Sequence, residues 1–253
     1  MAFPEEELSR DSFLGGRLSL YQPRRGYRAG ADPVLLAAAV PARPGQAVLE
    51  LGCGAGVALM CLGARVPGLA LHGVELQEDY AALARRSAGE NGLDLAVFTA
   101  DLGALPPQLR ARDFDHVLAN PPYFQPARGT PAADAGRATG RAGETPLSGW
   151  VDAATRRLRP GGYLTLIQRA ARLPDLLSAM DGRLGSVAVK PLAPRTGRAA
   201  ELVIVQARKG GRAAFRLLAP LVLHEGVRHE RDEDSYTREV QAILREAAPL
   251  EIV

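Results

Sequence analysis

Cysteine is scarce in this chain: Cys53 and Cys61 are the only two among 253 residues. They lie too far apart for a CxxC pair and are too few for a disulfide framework, which argues against a small secreted scaffold and fits a reducing cytoplasm. Lysine is almost missing, with Lys190 and Lys209 the only examples, so nearly all of the 31 basic residues are arginine. His72, His116, His224 and His229 show no paired ligand spacing, and no metal is expected. No stretch reaches the roughly 18 uninterrupted apolar residues that a membrane span needs, and the opening MAFPEEELSR has no apolar core segment; neither export nor membrane insertion is expected.

What is present suffices for one substantial α/β core with short appendages, since 47% of the 253 residues are hydrophobic. The net charge is only +3. Arginine favours bidentate phosphate contacts, but a chain this rich in Ala, Gly, Pro and Arg equally reflects GC-rich codons, so composition alone does not establish a nucleic-acid partner.

Residues 1–45 read as an extension. Phe13 to Leu18 places a Gly-Gly pair between apolar flanks, a hairpin signal, and Leu18 to Tyr21 alternates as a strand does. The basic stretch Arg24-Arg25-Gly26-Tyr27-Arg28 follows, then a helix over the apolar run to Val40, capped by Asp32 with Pro33 in its first turn. Residues 46–210 alternate strand and helix. Strands are expected at 47–51, 69–75, 95–99, 114–119, 163–168, 187–189 and 201–207, and helices at 57–66, 78–91 and 147–158. This predicts a Rossmann-like α/β fold: a seven-stranded, mostly parallel sheet with helices on both faces and a C-terminal antiparallel strand, because the loop 191–198 is too short for a parallel crossover. Residues 211–253 read as a further extension packed on the same domain: an apolar run around 217–223, a charged stretch 224–234 and an amphipathic helix over 235–247. The Gly-, Ala-, Arg- and Pro-rich segment 125–146 is a long loop of the functional kind.

Where the first main strand becomes a helix stands Glu50-Leu51-Gly52-Cys53-Gly54-Ala55-Gly56. Alternate glycines let the backbone turn tightly and approach a ligand at the positive end of the next helix, where doubly wound sheets bind ligands. The pattern differs from the dinucleotide fingerprint GxGxxG by one residue and by its acidic start. It resembles the E/D-x-G-x-G-x-G loop of Rossmann-like S-adenosylmethionine-dependent methyltransferases. The resemblance implies that Gly52, Gly54 and Gly56 line the methionine part of S-adenosylmethionine and that Glu50 holds its amino group. It further implies that Glu75 meets the ribose hydroxyls and that Asp101 and the adjacent Leu102 backbone bind the adenine.

The fourth main strand runs into Asn120-Pro121-Pro122-Tyr123. Alone this is a rigid turn; after such a glycine loop it resembles the NPPY signature of methyltransferases that act on planar nitrogens. An adenine amino group or a glutamine amide is a poor nucleophile because its lone pair is delocalised. The Asn120 side-chain carbonyl and the Pro121 backbone carbonyl can each accept an N–H, stiffened by Pro122, while Tyr123 offers a face for stacking. Asn120 would border the cofactor as well as the acceptor. With Arg28-Ala29-Gly30-Ala31-Asp32-Pro33-Val34-Leu35-Leu36, the stretch 12–210 resembles the bacterial valine-tRNA adenine-N6 methyltransferases, which implies that Arg28 and Asp32 close over the cofactor and that tRNA is the partner. Release-factor glutamine methyltransferases also carry NPPY, and a non-catalytic RNA-binding protein of the same fold is a third reading. Arg24, Arg25, Arg128, Arg137, Arg141, Arg195 and Arg198 are candidate phosphate contacts.

Overall fold

A computed structural model of the chain describes residues 3–123, 145–226 and 235–252. All but the last two residues of the expected loop 125–146, with Arg128, Arg137 and Arg141, and most of the charged stretch lie outside the described residues.

The hairpin forms as its glycine pair predicts. β1 (Leu8–Phe13) and β2 (Leu18–Pro23) pair antiparallel from Leu8↔Pro23 to Phe13↔Leu18. The turn between them is left-handed at Leu14, Gly15 and Gly16. Helix α1 (Asp32–Ala39) follows. Asp32 does not cap it: it is the first helical residue, Ala31 holds the cap position, and no side chain bonds there.

The main sheet contains β3 (Ala47–Leu51), β4 (Ala70–Glu75), β5 (Leu95–Thr99), β6 (Phe114–Ala119), β7 (Leu158–Arg169), β8 (Leu184–Arg195), β9 (Leu202–Lys209), β10 (Arg216–Leu217) and β11 (Leu221–His224). The order is β10-β8-β9-β7-β6-β3-β4-β5, with β11 also on β8. β3 to β7 pair in parallel, and β9 runs antiparallel to both β7 and β8. The seven expected strands are present, and the tail adds two short parallel strands at the β8 edge. That addition corrects the expected loop over 191–198. β8 continues to Arg195 because it is paired on both sides, by β9 and by β11 through Leu192, Ala193 and Arg195. Pro191, which has no N–H to give, falls between the β10 and β11 pairings.

The helices are α2 (Val57–Arg65), α3 (Glu78–Glu90), α4 (Pro107–Arg110), α5 (Leu147–Arg157), α6 (Leu173–Ala179) and α7 (Arg238–Glu246). Period-two alternation divides the strand residues between two cores: Val48 and Leu118 join α1, α2, α7 and the hairpin leucines Leu18 and Leu20, whereas Leu49, Leu51, Val117 and Ala119 join α5 and α6. Thr237 caps α7 by accepting the Val240 amide at 3.4 Å. Buried His116 on β6 meets Gln46 Oε1 at 2.9 Å. Among the described residues no helix is long and apolar enough to cross a membrane. The carboxyl ends of β3, β4, β5 and β6 open along one edge of the sheet, where loops can converge on a ligand.

Candidate active site

β3 delivers the glycine loop to that edge. Gly52, Gly54 and Gly56 all take the left-handed conformation, at φ 65°, 54° and 80°. Cys53 N–H donates to Val74 O at 2.9 Å, which ties the loop to the end of β4. A Cβ on Gly52 would meet the Trp150 ring at 2.5 Å, and one on Gly56 would meet Ala84 and Met60 at 3.1 Å. At Gly54 the nearest atom would be Tyr27 Cε1, at 3.8 Å. Packing therefore fixes the outer two glycines, and the middle one alone leaves room for a visitor.

Two acids flank the loop. Glu50 is 3% exposed, and its Oε2 is buried without a hydrogen-bond partner. Burial pushes its carboxyl well above the usual range, the Leu59 amide opposes this, and the Glu75 charge adds to it. Glu75 clamps the backbone: its Oε2 accepts Gly54 N–H at 2.8 Å and its Oε1 accepts Gln77 N–H at 2.9 Å. Each oxygen keeps a second lone pair. Burial raises the Glu75 carboxyl, and those amides pull it down. Beyond β5, Asp101 accepts Gly103 N–H at 2.7 Å and so caps the short turn Leu102–Ala104, while Leu102 packs on the core that contains Trp150.

β6 delivers Asn120 to Tyr123 to the same edge. Pro121 is buried, and its carbonyl accepts Gln168 Nε2–H at 3.2 Å. Tyr123 donates its hydroxyl to Asp32 Oδ2 at 2.9 Å, and the Arg169 guanidinium carbon stands 5.8 Å from the Tyr123 ring centre. Burial raises the Asp32 carboxyl, against the pull of Tyr123 and Arg169. Asp32 is thus a partner of the tetrapeptide, which is why it does not cap α1.

Residues 24–31 cross between the two halves as a strap. Tyr27 N–H donates to the Tyr80 hydroxyl at 3.0 Å, and that hydroxyl donates back to Tyr27 O at 3.3 Å. Gly26, at φ +99°, allows the approach, since a Cβ there would stand 3.0 Å from the same oxygen. The Tyr27 side chain then reaches from the glycine loop to the tetrapeptide, its hydroxyl accepting from Asn120 Nδ2 at 3.4 Å. Sequence reading missed both Tyr27 and Gln168. The one available signal was Gln168 itself, an amide at the end of the mostly apolar stretch Leu164-Thr165-Leu166-Ile167. Arg28 turns the other way: its guanidinium donates to Asp11 at 2.6 Å and to Ser9 at 2.8 Å, which places it on the hairpin. Arg195 is committed to the tail through Ser235 Oγ at 3.2 Å.

The family model described as the methyltransferase small domain matches residues 30–190. The tRNA1(Val) (adenine(37)-N6)-methyltransferase of Dickeya chrysanthemi is 29% identical over 88% of each chain. The protein of that name from Porphyromonas gingivalis is 30% identical over 66% of this chain and 68% of its own length. The structure of a predicted O-methyltransferase from Agrobacterium tumefaciens is 26% identical and superposes with a TM-score of 0.70, covering 87% of this chain and 98% of that one. The chain belongs to the methyltransferase small-domain family and is an S-adenosylmethionine-dependent methyltransferase.

Proposed function

We propose that the acceptor is the N6 amino group of an adenine in tRNA and that the transfer takes place where the strap meets Asn120-Pro121-Pro122-Tyr123. The observation that carries the reading is the convergence of a carbonyl-presenting tetrapeptide with a glycine loop beside a buried carboxyl that has one oxygen unpartnered. Both cited curated relatives are named for N6 methylation of adenine 37 in tRNA1(Val), which supports the choice of acceptor.

The residues fit the cofactor. Glu50 Oε2 lacks the partner that an α-ammonium would provide, and Gly54 leaves space where a side chain would intrude. Glu75 and Asp101 keep lone pairs for ribose and adenine beyond the amides they already accept. When bound, S-adenosylmethionine supplies an electrophilic methyl group on a sulfonium centre.

The chain's own part is orientation and charge stabilisation. With its Nδ2 turned to the Tyr27 hydroxyl, Asn120 has an Oδ1 that no described residue engages and that can accept one N–H of the amine. The Pro121 carbonyl accepts the other. Holding both protons toward carbonyls aims the nitrogen lone pair and stabilises the positive charge that grows on it. No base is needed beforehand, because the proton becomes acidic only after transfer. Tyr123 offers its ring to the base, fixed by Asp32 and backed by Arg169. A reducing cytoplasm is part of the same proposal, consistent with the free thiols of Cys53 and Cys61.

The test is incubation with isotopically labelled S-adenosylmethionine and either unmodified tRNA or a release factor, followed by digestion and mass spectrometry. N6-methyladenosine is expected, and Asn120→Ala abolishes it while leaving cofactor binding nearly intact. Methylglutamine in the release factor would replace the proposed acceptor with a protein amide.

A further inference from the structure

Gln168 is completely buried at the carboxyl end of β7, two residues beyond the last β6–β7 pairing at Ala119↔Leu166. A buried primary amide must satisfy both of its ends. Its Oε1 accepts Arg169 N–H at 2.9 Å, and its Nε2 donates to Pro121 O at 3.2 Å. The two contacts set the amide orientation between them, since a flipped side chain would put oxygen against the Pro121 carbonyl and N–H against the Arg169 amide. Its neighbours Leu164, Leu166 and Ile167 lie in the cores, and the one other buried polar side chain of this stretch, Thr165, is engaged by Gln206 Nε2 at 3.3 Å rather than by the site. An amide placed there for packing alone would be an expensive choice.

We infer that Gln168 is a positioning residue for methyl transfer: it holds the Pro121 carbonyl at the angle from which the second lone pair accepts the substrate N–H. The inference rests on the proposed role of Pro121. A carbonyl oxygen has two lone pairs, so the Gln168 bond leaves one for the amine. Pro121 and Pro122 have no N–H with which to lock this peptide into a backbone ladder, so a side chain from the neighbouring strand does so. Tyr27 does the corresponding work at Asn120. Each of the two acceptor carbonyls is therefore oriented by a group that itself need not touch the substrate.

The test uses full-length Gln168→Leu and Gln168→Glu, with two readouts. In protein labelled with 13C and 15N only in proline, one-bond carbonyl-to-nitrogen coupling arises only at Pro106-Pro107 and Pro121-Pro122. The Pro107→Ala variant assigns the pair. Gln168→Leu shifts the Pro121 carbonyl upfield through loss of the hydrogen bond. In Gln168→Glu the protonated acid can donate to Pro121 O and the carboxylate cannot, so the same resonance titrates with pH. The second readout is kinetic: for Gln168→Leu, kcat falls roughly 10- to 100-fold, the scale of a misplaced group, while KM and cofactor Kd move by less than about threefold. The activity of Gln168→Glu relative to wild type rises as pH falls, a dependence that a packing role would not produce. An unshifted Pro121 carbonyl, or a shifted one with unchanged kcat, would overturn the inference. If Gln168→Leu fails to fold, Gln168→Glu at low and high pH carries both readouts. If the wild type methylates no tRNA, the proposed acceptor falls by itself. The carbonyl shift, which needs no acceptor, still tests the contact, and kcat is then read on the acceptor that the labelling experiment identifies.

Discussion

Replacing Glu50 by Gln removes one buried titratable carboxyl and changes almost no volume. In the free protein Oε2 has no partner and burial holds the carboxyl protonated above its ordinary range, so the folded state keeps a proton that the unfolded chain has released. Stability therefore falls as pH rises above the usual carboxylate range, and each tenfold change in the proton equilibrium is worth about 1.4 kcal/mol. Burial raises the Glu75 and Asp32 carboxyls too, so a glutamine at position 50 should remove Glu50's share of that slope and leave theirs: the variant gains on wild type at pH 8, and the gap narrows toward pH 4. Cofactor binding moves the opposite way. A buried hydrogen bond to a charged group is worth about 1.5–3 kcal/mol, so losing the pair with the α-ammonium weakens Kd about 10- to 150-fold. Binding to wild type also releases a proton, because the ammonium favours the carboxylate, so affinity rises with pH; in the variant this component disappears. Calorimetric titration with S-adenosylhomocysteine in buffers of different ionisation enthalpy, alongside thermal melts from pH 5 to 9, measures all three effects. An unchanged Kd together with parallel melting profiles would refute the assignment of Glu50 to the amino group.

The two glycine positions should separate folding from binding. Gly54→Ala costs about 1–2 kcal/mol for its left-handed backbone and loses most cofactor affinity. Gly52→Ala adds a collision with Trp150 at 2.5 Å and lowers the melting temperature well beyond that; equal melting temperatures for the two variants would contradict the packing described. Tyr123→Phe keeps the stacking face and loses about 1 kcal/mol of stability with the Asp32 bond, whereas Tyr123→Ala weakens acceptor binding by about 1–3 kcal/mol, as steady-state KM values will show. His116 is held neutral by burial, its pKa pulled down to about 4. Its contribution is complete above the unfolded value near 6.5 and is lost as pH falls toward 4, on the order of 3 kcal/mol in all. Denaturant melts of His116→Gln should lack that acid slope.

The sheet was legible because each strand carries its own signal: short, mostly apolar segments such as Ala47–Leu51 and Phe114–Ala119, closed by Gly-rich or Pro-rich turns, need no distant partner to be recognised. The glycine loop and the tetrapeptide were legible for the same reason, since their chemistry is written in consecutive residues. β10 and β11 were not. Two and four residues long, on either side of Pro220, they exist because β8 offers an open edge. Tyr27 was missed because its partners Tyr80 and Asn120 lie 53 and 93 residues away, and Asp32 was read as a cap because nothing local indicates Tyr123, 91 residues on. In each case the folded contact outweighed the local preference.

Among the described residues, both backbone hydrogen bonds between the strap and α3 converge on one atom. One phenolic oxygen serves both the N–H and the C=O of Tyr27, as a neighbouring strand would, but with no ladder behind it. One side-chain rotation of Tyr80 frees both groups at once, without unpairing any strand of the main sheet. In hydrogen exchange, the Tyr27 amide should accordingly trade its proton through a small local opening, faster than the amides of β3 and uncoupled from them, so this single position reports the breathing of the strap while the sheet beneath it stays closed.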